Sequence, residues 1–113
     1  MTPIHLTNQD LLNAAWEQAK LKTRSEDGRA CKYRGPNGAK CFIGAAIPDE
    51  RYDPRIEGRP LCYAFDKVYM TMGNVKLAVA LQMVHDYHPV NEWDRRLREL
   101  AQEYALTIPG ETK

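Results

Sequence analysis

No stretch of this sequence approaches the roughly 20 consecutive apolar residues that a membrane-spanning helix needs. The opening residues, MTPIHLTNQD, hold neither a basic n-region nor an apolar h-region, so a secretory leader is not expected. Cysteine is scarce. Three is an odd number and too few for a disulfide scaffold, which points to a reducing cytosol. Charge of one sign is also lacking: the net charge is +1, so no global field steers the chain towards nucleic acid or a membrane. Internal repeats and low-complexity segments are absent. At 113 residues and 43% hydrophobic content, the chain reads as one domain, 1–113, too apolar for disorder.

What is present is mostly amphipathic helix. Thr7 or Asn8 can cap a first helix, with Asp10 in its opening turn and Leu12, Ala15, Trp16 and Ala19 on one face, fading near Thr23. A second helix is predicted over 61–72, with a stripe of Leu61, Phe65, Val68, Tyr69 and Met72 stopped by Gly73-Asn74. A third spans 75–87 and is apolar on most sides, so it is expected to be the central, most buried helix. Asn91 can cap a fourth, whose buried face is Trp93, Leu97, Leu100, Ala101 and Tyr104 and whose solvated face holds Arg95, Arg96 and Arg98. The tail from Ile108 onward is expected to fray. The helical core is thus 8–23 with 61–106.

Between those helices, residues 30–60 lack helical periodicity. Ala30 to Arg34 and Ala39 to Ile43 flank Gly35-Pro36-Asn37-Gly38, a turn signal that predicts a β-hairpin. Pro48, Pro54 and Pro60 then punctuate a long loop. The predicted fold class is α+β, predominantly helical: about four helices, one hairpin and a long Pro-punctuated loop.

The pattern Cys31-x-Tyr33-Arg34, Gly38-x-Lys40-Cys41-x-Ile43-Gly44, Ile47-Pro48-Asp49-Glu50-x-Tyr52 and Ile56-Glu57-Gly58, continuing through Leu81-Gln82 and His85-Asp86 to Trp93 and Leu97, resembles a widespread family of small phage and prophage proteins. The resemblance covers most of the chain. It implies an accessory protein of a virus or mobile element working in the bacterial cytoplasm, and it supplies no catalytic residues.

Several constellations could carry chemistry. From Lys20 to Lys40 seven cations stand against two anions, while Asp49 to Glu57 is net negative, so hairpin and loop together could form a bipolar partner surface, a self-neutralising salt-bridge network or ordinary solvated charge. The predicted binding residues are Arg34, Lys40, Asp49, Tyr52, Arg55 and Glu57, expected as surface groups on a loop pre-ordered by proline. The expected partner is a host protein that is inhibited or redirected. A competing reading has Arg34 and Lys40 hold a nucleotide or other phosphorylated small molecule, although Gly-Pro-Asn-Gly is no nucleotide fingerprint. A third reading is a thiol- or metal-dependent enzyme built on Cys31, Cys41, Cys62, His85 and His88, with Asp86 as orienting group. The spacing gives no Cys-x-x-Cys pair and brings no thiol to a histidine, so no metal, cofactor or catalytic residue is assigned and enzyme activity is not expected.

Overall fold

A computed structural model of the protein describes residues 2–22, 32–35 and 38–111. The predicted fading of the first helix at Thr23, the first hairpin residues Ala30 and Cys31, and the turn residues Pro36 and Asn37 lie outside the described residues, as does the end of the tail at Thr112 and Lys113.

The fold is α+β with four α-helices among the described residues and a small sheet of two strands. Strand β1, Ile4–Leu6, leads into helix α1, Asn8–Ala19. Thr7 closes a capping box: its hydroxyl accepts from the Asp10 backbone N–H at 3.1 Å, and the Asp10 carboxylate accepts from the Thr7 N–H at 2.9 Å. Leu11, Leu12, Ala15 and Trp16 are then turned inward. No helix among the described residues is long and apolar enough to cross a membrane.

Helix α2, Leu61–Lys67, is shorter than the spacing predicts. Tyr69 adopts φ +58°, which stops the helix after Val68. Met70–Met72 then forms strand β2, parallel to β1 with Ile4 opposite Met70 and Leu6 opposite Met72. The residues read as the last turn of a helix are therefore strand, and Tyr69 is exposed rather than part of a buried stripe. The reason is a pairing partner more than sixty positions away, which local periodicity cannot register.

The predicted hairpin is likewise corrected. Arg34 and Lys40 form one isolated antiparallel bridge, with Gly35 N–H donating to Ala39 O at 2.8 Å and Cys41 N–H to Tyr33 O at 3.3 Å. Among the described residues the ladder goes no further. Cys41, Phe42 and Ile43 are all buried, so two-fold alternation fails, and the chain tightens into a 3-10 turn at Gly44–Ala46.

Helix α3, Val75–Tyr87, is capped by Asn74, whose side chain accepts from Lys76 N–H at 2.8 Å. The Asn74 N–H in turn donates to Asn8 Oδ1 at 2.9 Å, tying the starts of α1 and α3 together. The expectation that α3 is buried on most sides does not hold. Leu77, Ala78, Leu81, Val84 and His85 face the core, but Val75, Val79, Met83 and Tyr87 are exposed.

Helix α4, Trp93–Glu103, follows a 3-10 turn at Val90–Glu92, so Asn91 lies in that turn and is not the cap. Trp93 and Leu97 are fully enclosed, and the Trp93 Nε1–H donates to Val84 O at 3.1 Å and His88 O at 3.2 Å. The described chain beyond α4, as far as Glu111, is held, not frayed. Gln9 exchanges two hydrogen bonds with Thr107, at 2.7 and 3.0 Å, Ile108 is buried, and Glu111 pairs with Arg98 at 2.6 Å.

Leu97→Ala should cost about 2–5 kcal/mol and Trp93→Ala about 3–5 kcal/mol, as large-to-small changes at closed sites do. Denaturant melts check both; a loss below about 0.5 kcal/mol would place that side chain outside the core.

Candidate functional site

The loop that follows the Arg34–Lys40 bridge is organised by one carboxylate. Glu57 accepts from the Tyr33 N–H at 2.8 Å, the Arg34 N–H at 3.0 Å and the Tyr52 hydroxyl at 2.6 Å. A charged acceptor facing two backbone donors is a strong clamp. From the other side, Gly44 presses on the same segment: a Cβ built there would stand 2.0 Å from Tyr33 O. The Tyr33 hydroxyl donates onward to Arg59 O at 2.8 Å. Tyr33 is thus gripped at its amide by Glu57, against its carbonyl by Gly44, and through its ring by the chain at Arg59.

Arg34 lies with its guanidinium over the Tyr52 ring, 4.9 Å from the centroid. It donates to Asp49 Oδ1 at 2.7 Å and to Ile47 O at 2.5 Å. Lys40 approaches the same Asp49 oxygen at 3.6 Å. The Arg34 hydrogen bond, helped by Lys40, holds the Asp49 carboxyl below its usual range. Arg55 stands apart. It pairs with Asp53, 2.7 Å away, whose carboxylate also accepts from the Arg55 N–H. Those hydrogen bonds lower the Asp53 pKa to about 2.

Of the six residues the sequence singled out, the fold therefore joins five in one network and leaves Arg55 outside it. They are not all surface groups. The Arg34 side chain is 17% exposed against 78% for Asp49, and Tyr52 and Glu57 are half-buried. The charge pattern showed attraction between the basic and acidic segments, but not that two of these side chains bond to the backbone. Arg34 and Lys40 both turn towards Asp49, so their charge is already matched there.

The network has a consequence beside it. It holds Tyr33, Arg59 and Pro60 as one wall of an open cleft of about 450 Å³, whose other wall is the outer side of α3 at Val75, Val79 and Met83. Gln82 and Asp86 also line the cleft. Gln82 accepts from Ile43 N–H at 3.3 Å and donates to Asp86 at 3.1 Å, and Asp86 meets His85 Nδ1 at 2.8 Å.

This polar cluster does not make a nucleophile. Cys41 lies against it, but burial pushes the Cys41 thiol up to about 12, leaving it protonated at neutral pH. Its sulfur accepts from the Gly44 N–H at 3.1 Å, a structural bond. Cys62 is exposed on α2, and Cys31 lies outside the described residues. Among the described residues no group of three or more His, Cys, Asp or Glu side chains is placed to hold a metal ion. His85 is enclosed between the Phe42 ring, 5.2 Å away edge-on, and the Trp93 indole, 5.5 Å away and stacked.

The feature that sequence reasoning missed is the outer row of α3. Val75, Val79, Met83 and Tyr87 recur every fourth residue and are 43%, 43%, 50% and 76% exposed. The signal was visible as a helix apolar on most sides, and it was read as burial within this chain. The chain matches no family model, no curated protein and no solved structure.

Four outcomes follow from this geometry. Glu57→Ala should cost on the order of 2–4 kcal/mol in a denaturant melt, because two backbone donors lose a charged acceptor. Gly44→Ala should cost about 1–3 kcal/mol or more, since backbone must move. In a Cys31→Ser chain, Cys62 should react at once with an aromatic disulfide reagent and Cys41 only on unfolding. Burial also couples Cys41 to pH. Below the ordinary thiol value of 9.0 both folded and unfolded chains keep the proton. Between 9.0 and about 12 only the unfolded chain loses it, so stability falls as pH rises through that window. Burial raises Tyr33 and Tyr52 in the same sense. Cys41→Ala should therefore flatten part of the alkaline loss; an unchanged slope would show that the thiol is not the group responsible.

Proposed function

We propose that this is an accessory protein of phage or prophage type that acts by binding a host protein, and that the outer face of α3 is the surface it binds with. The phage part rests on the sequence resemblance. The binding part rests on one observation, the exposed row Val75, Val79, Met83 and Tyr87. A helix that is apolar on most sides is ordinarily covered on most sides. Here the core covers one side only, and the exposed side continues into the cleft beside Tyr33 and Arg59. Contiguous apolar surface of this kind marks an interaction site, because leaving it in water costs free energy that a partner recovers. Tyr and Met are among the residue types enriched in such contacts.

The network of Arg34, Asp49, Tyr52 and Glu57 serves this reading as scaffold. It fixes the wall opposite α3, so the cleft is pre-formed and binding loses little to ordering. The binding partner is a host macromolecule whose own function is inhibited or redirected by being covered.

Met83→Glu should abolish capture of the partner from host lysate while changing stability by no more than about 0.5 kcal/mol, as expected of an exposed position. Glu99→Lys, on the exposed side of α4, serves as control and should capture normally. Quantitative mass spectrometry of both eluates decides it. A folded Met83→Glu chain that retains its partner would remove α3 from the interface.

A further inference from the structure

We infer that the partner element received by this face is an amphipathic helix carrying acidic residues along one flank, an inference that rests on reading α3 as the binding surface. Two observations support it: what the face can bond to, and how its rim is charged.

The face offers side chains only. The amides and carbonyls of α3 between its ends are engaged within the helix, so an incoming extended segment would find no strand edge to pair with. Contact must come from side chain against side chain. The row from Val75 to Tyr87 is about 18 Å long at about 1.5 Å per residue, some three helical turns. A second helix laid along it would place its own residues at i, i+3 or i+4, and i+7 against Val75, Val79 and Met83, with room for larger side chains in the 450 Å³ cleft.

The rim is basic. Arg59 is exposed in the opposite wall, stacked 5.2 Å over the Tyr63 ring, and makes no ion pair among the described residues. Lys76 is exposed beside Val75 in the first turn of α3 and also makes no ion pair among them. Lys32 lines the cleft as well. The one carboxylate there, Asp86, is already bonded to Gln82 and His85. This contrasts with α4, where Arg95 and Arg96 pair with Glu92, and Arg98 with Asp94 and Glu111. Arg59 and Lys76, without ion pairs among the described residues and beside an apolar stripe, call for carboxylates from the partner. The same rim argues against a second copy of this chain. A twofold interface would bring two copies of Arg59 and Lys76 together with only Asp86, which is already bonded, as carboxylate.

The test is selection of binders from a displayed library of random 16-residue peptides against the full chain, with the enriched peptides resynthesised and their affinities measured by fluorescence anisotropy. The expected winners show apolar residues at helical spacing and Glu or Asp along one flank. They should bind at least tenfold more weakly to Met83→Glu, to Val79→Asp and to Arg59→Glu, all exposed positions, with folding checked by circular dichroism. Replacing the acidic flank by Lys should restore binding to Arg59→Glu. Winners without helical spacing or without acids, no winners, or indifference to Arg59→Glu would overturn the inference and leave α3 as a binding face. Winners indifferent to both Met83→Glu and Val79→Asp would overturn the reading of α3 itself. A dimer in sedimentation that Met83→Glu dissociates would identify a second copy as the occupant and also overturn the inference.

Discussion

The indole of Trp93 is the point at which three separate parts of the chain meet. Its ring lies edge-on to Phe42, with centroids 4.8 Å apart, and stacked on His85, while its N–H bonds to carbonyls of α3 and of the turn beyond it. Phe42 belongs to the non-helical segment, His85 to α3 and Trp93 to α4. Burial of these rings supplies apolar area, and the edge-to-face geometry and satisfied indole fix the orientation. If Trp93 were absent, α4 would lose its anchor on α3. Phe42 would lose the surface that draws residues 41–43 inward, and with it the inward pull that ends the Arg34–Lys40 ladder after one bridge.

Everything at the candidate site depends on that inward pull. Because Cys41 to Ile43 are buried, Gly44 arrives directly under Tyr33, where only a residue without Cβ fits. Glu57 then closes on Tyr33 and Arg34 from the opposite side. The result is a rigid wall opposite an apolar helix. Rigidity of this sort is what a binding surface gains from a loop that makes many internal bonds: the wall is in place before any partner arrives. The buried Cys41 thiol and the enclosed His85 belong to the same packing and show why chemistry-bearing residue types need not carry chemistry.

Charge is distributed with a similar division of labour. The cations that are dense in the sequence, Arg34 and Lys40 in the bridge and Arg95, Arg96 and Arg98 on α4, are matched by carboxylates within reach. Arg59 and Lys76, inconspicuous in any count of local charge, make no ion pairs among the described residues, and both flank the α3 row. A local charge total measures how many ions lie along a stretch, whereas binding depends on which remain uncompensated after folding.

Helices α1 and α3 were legible from sequence because their determinants are local. Thr7 with Asp10 is a capping signal a few residues across, and the inward rows of α1 and α4 follow from 3.6-residue periodicity alone; Gly73-Asn74, read as the stop of a helix over 61–72, instead supplies the cap of α3. The predominance of helix followed from the same signals; the β part of the α+β class was expected in a hairpin and lies instead in the parallel pair β1–β2. Membership of the candidate site was partly legible, since opposite charges at Arg34 and Asp49 and the glycine and proline pattern marked the segment. What only the tertiary structure decided were the features whose partners lie far apart along the chain. Met70–Met72 is strand because Ile4–Leu6 lies alongside. The hairpin is a single bridge because Phe42 is drawn to Trp93. Glu57 is a clamp because Tyr33 and Arg34 are brought to it. The apolar row on α3 is exposed because the core fills from its other side. Periodicity reports that a residue is apolar and which face it shares; whether this chain covers that face is decided by long-range packing, which has no local signature.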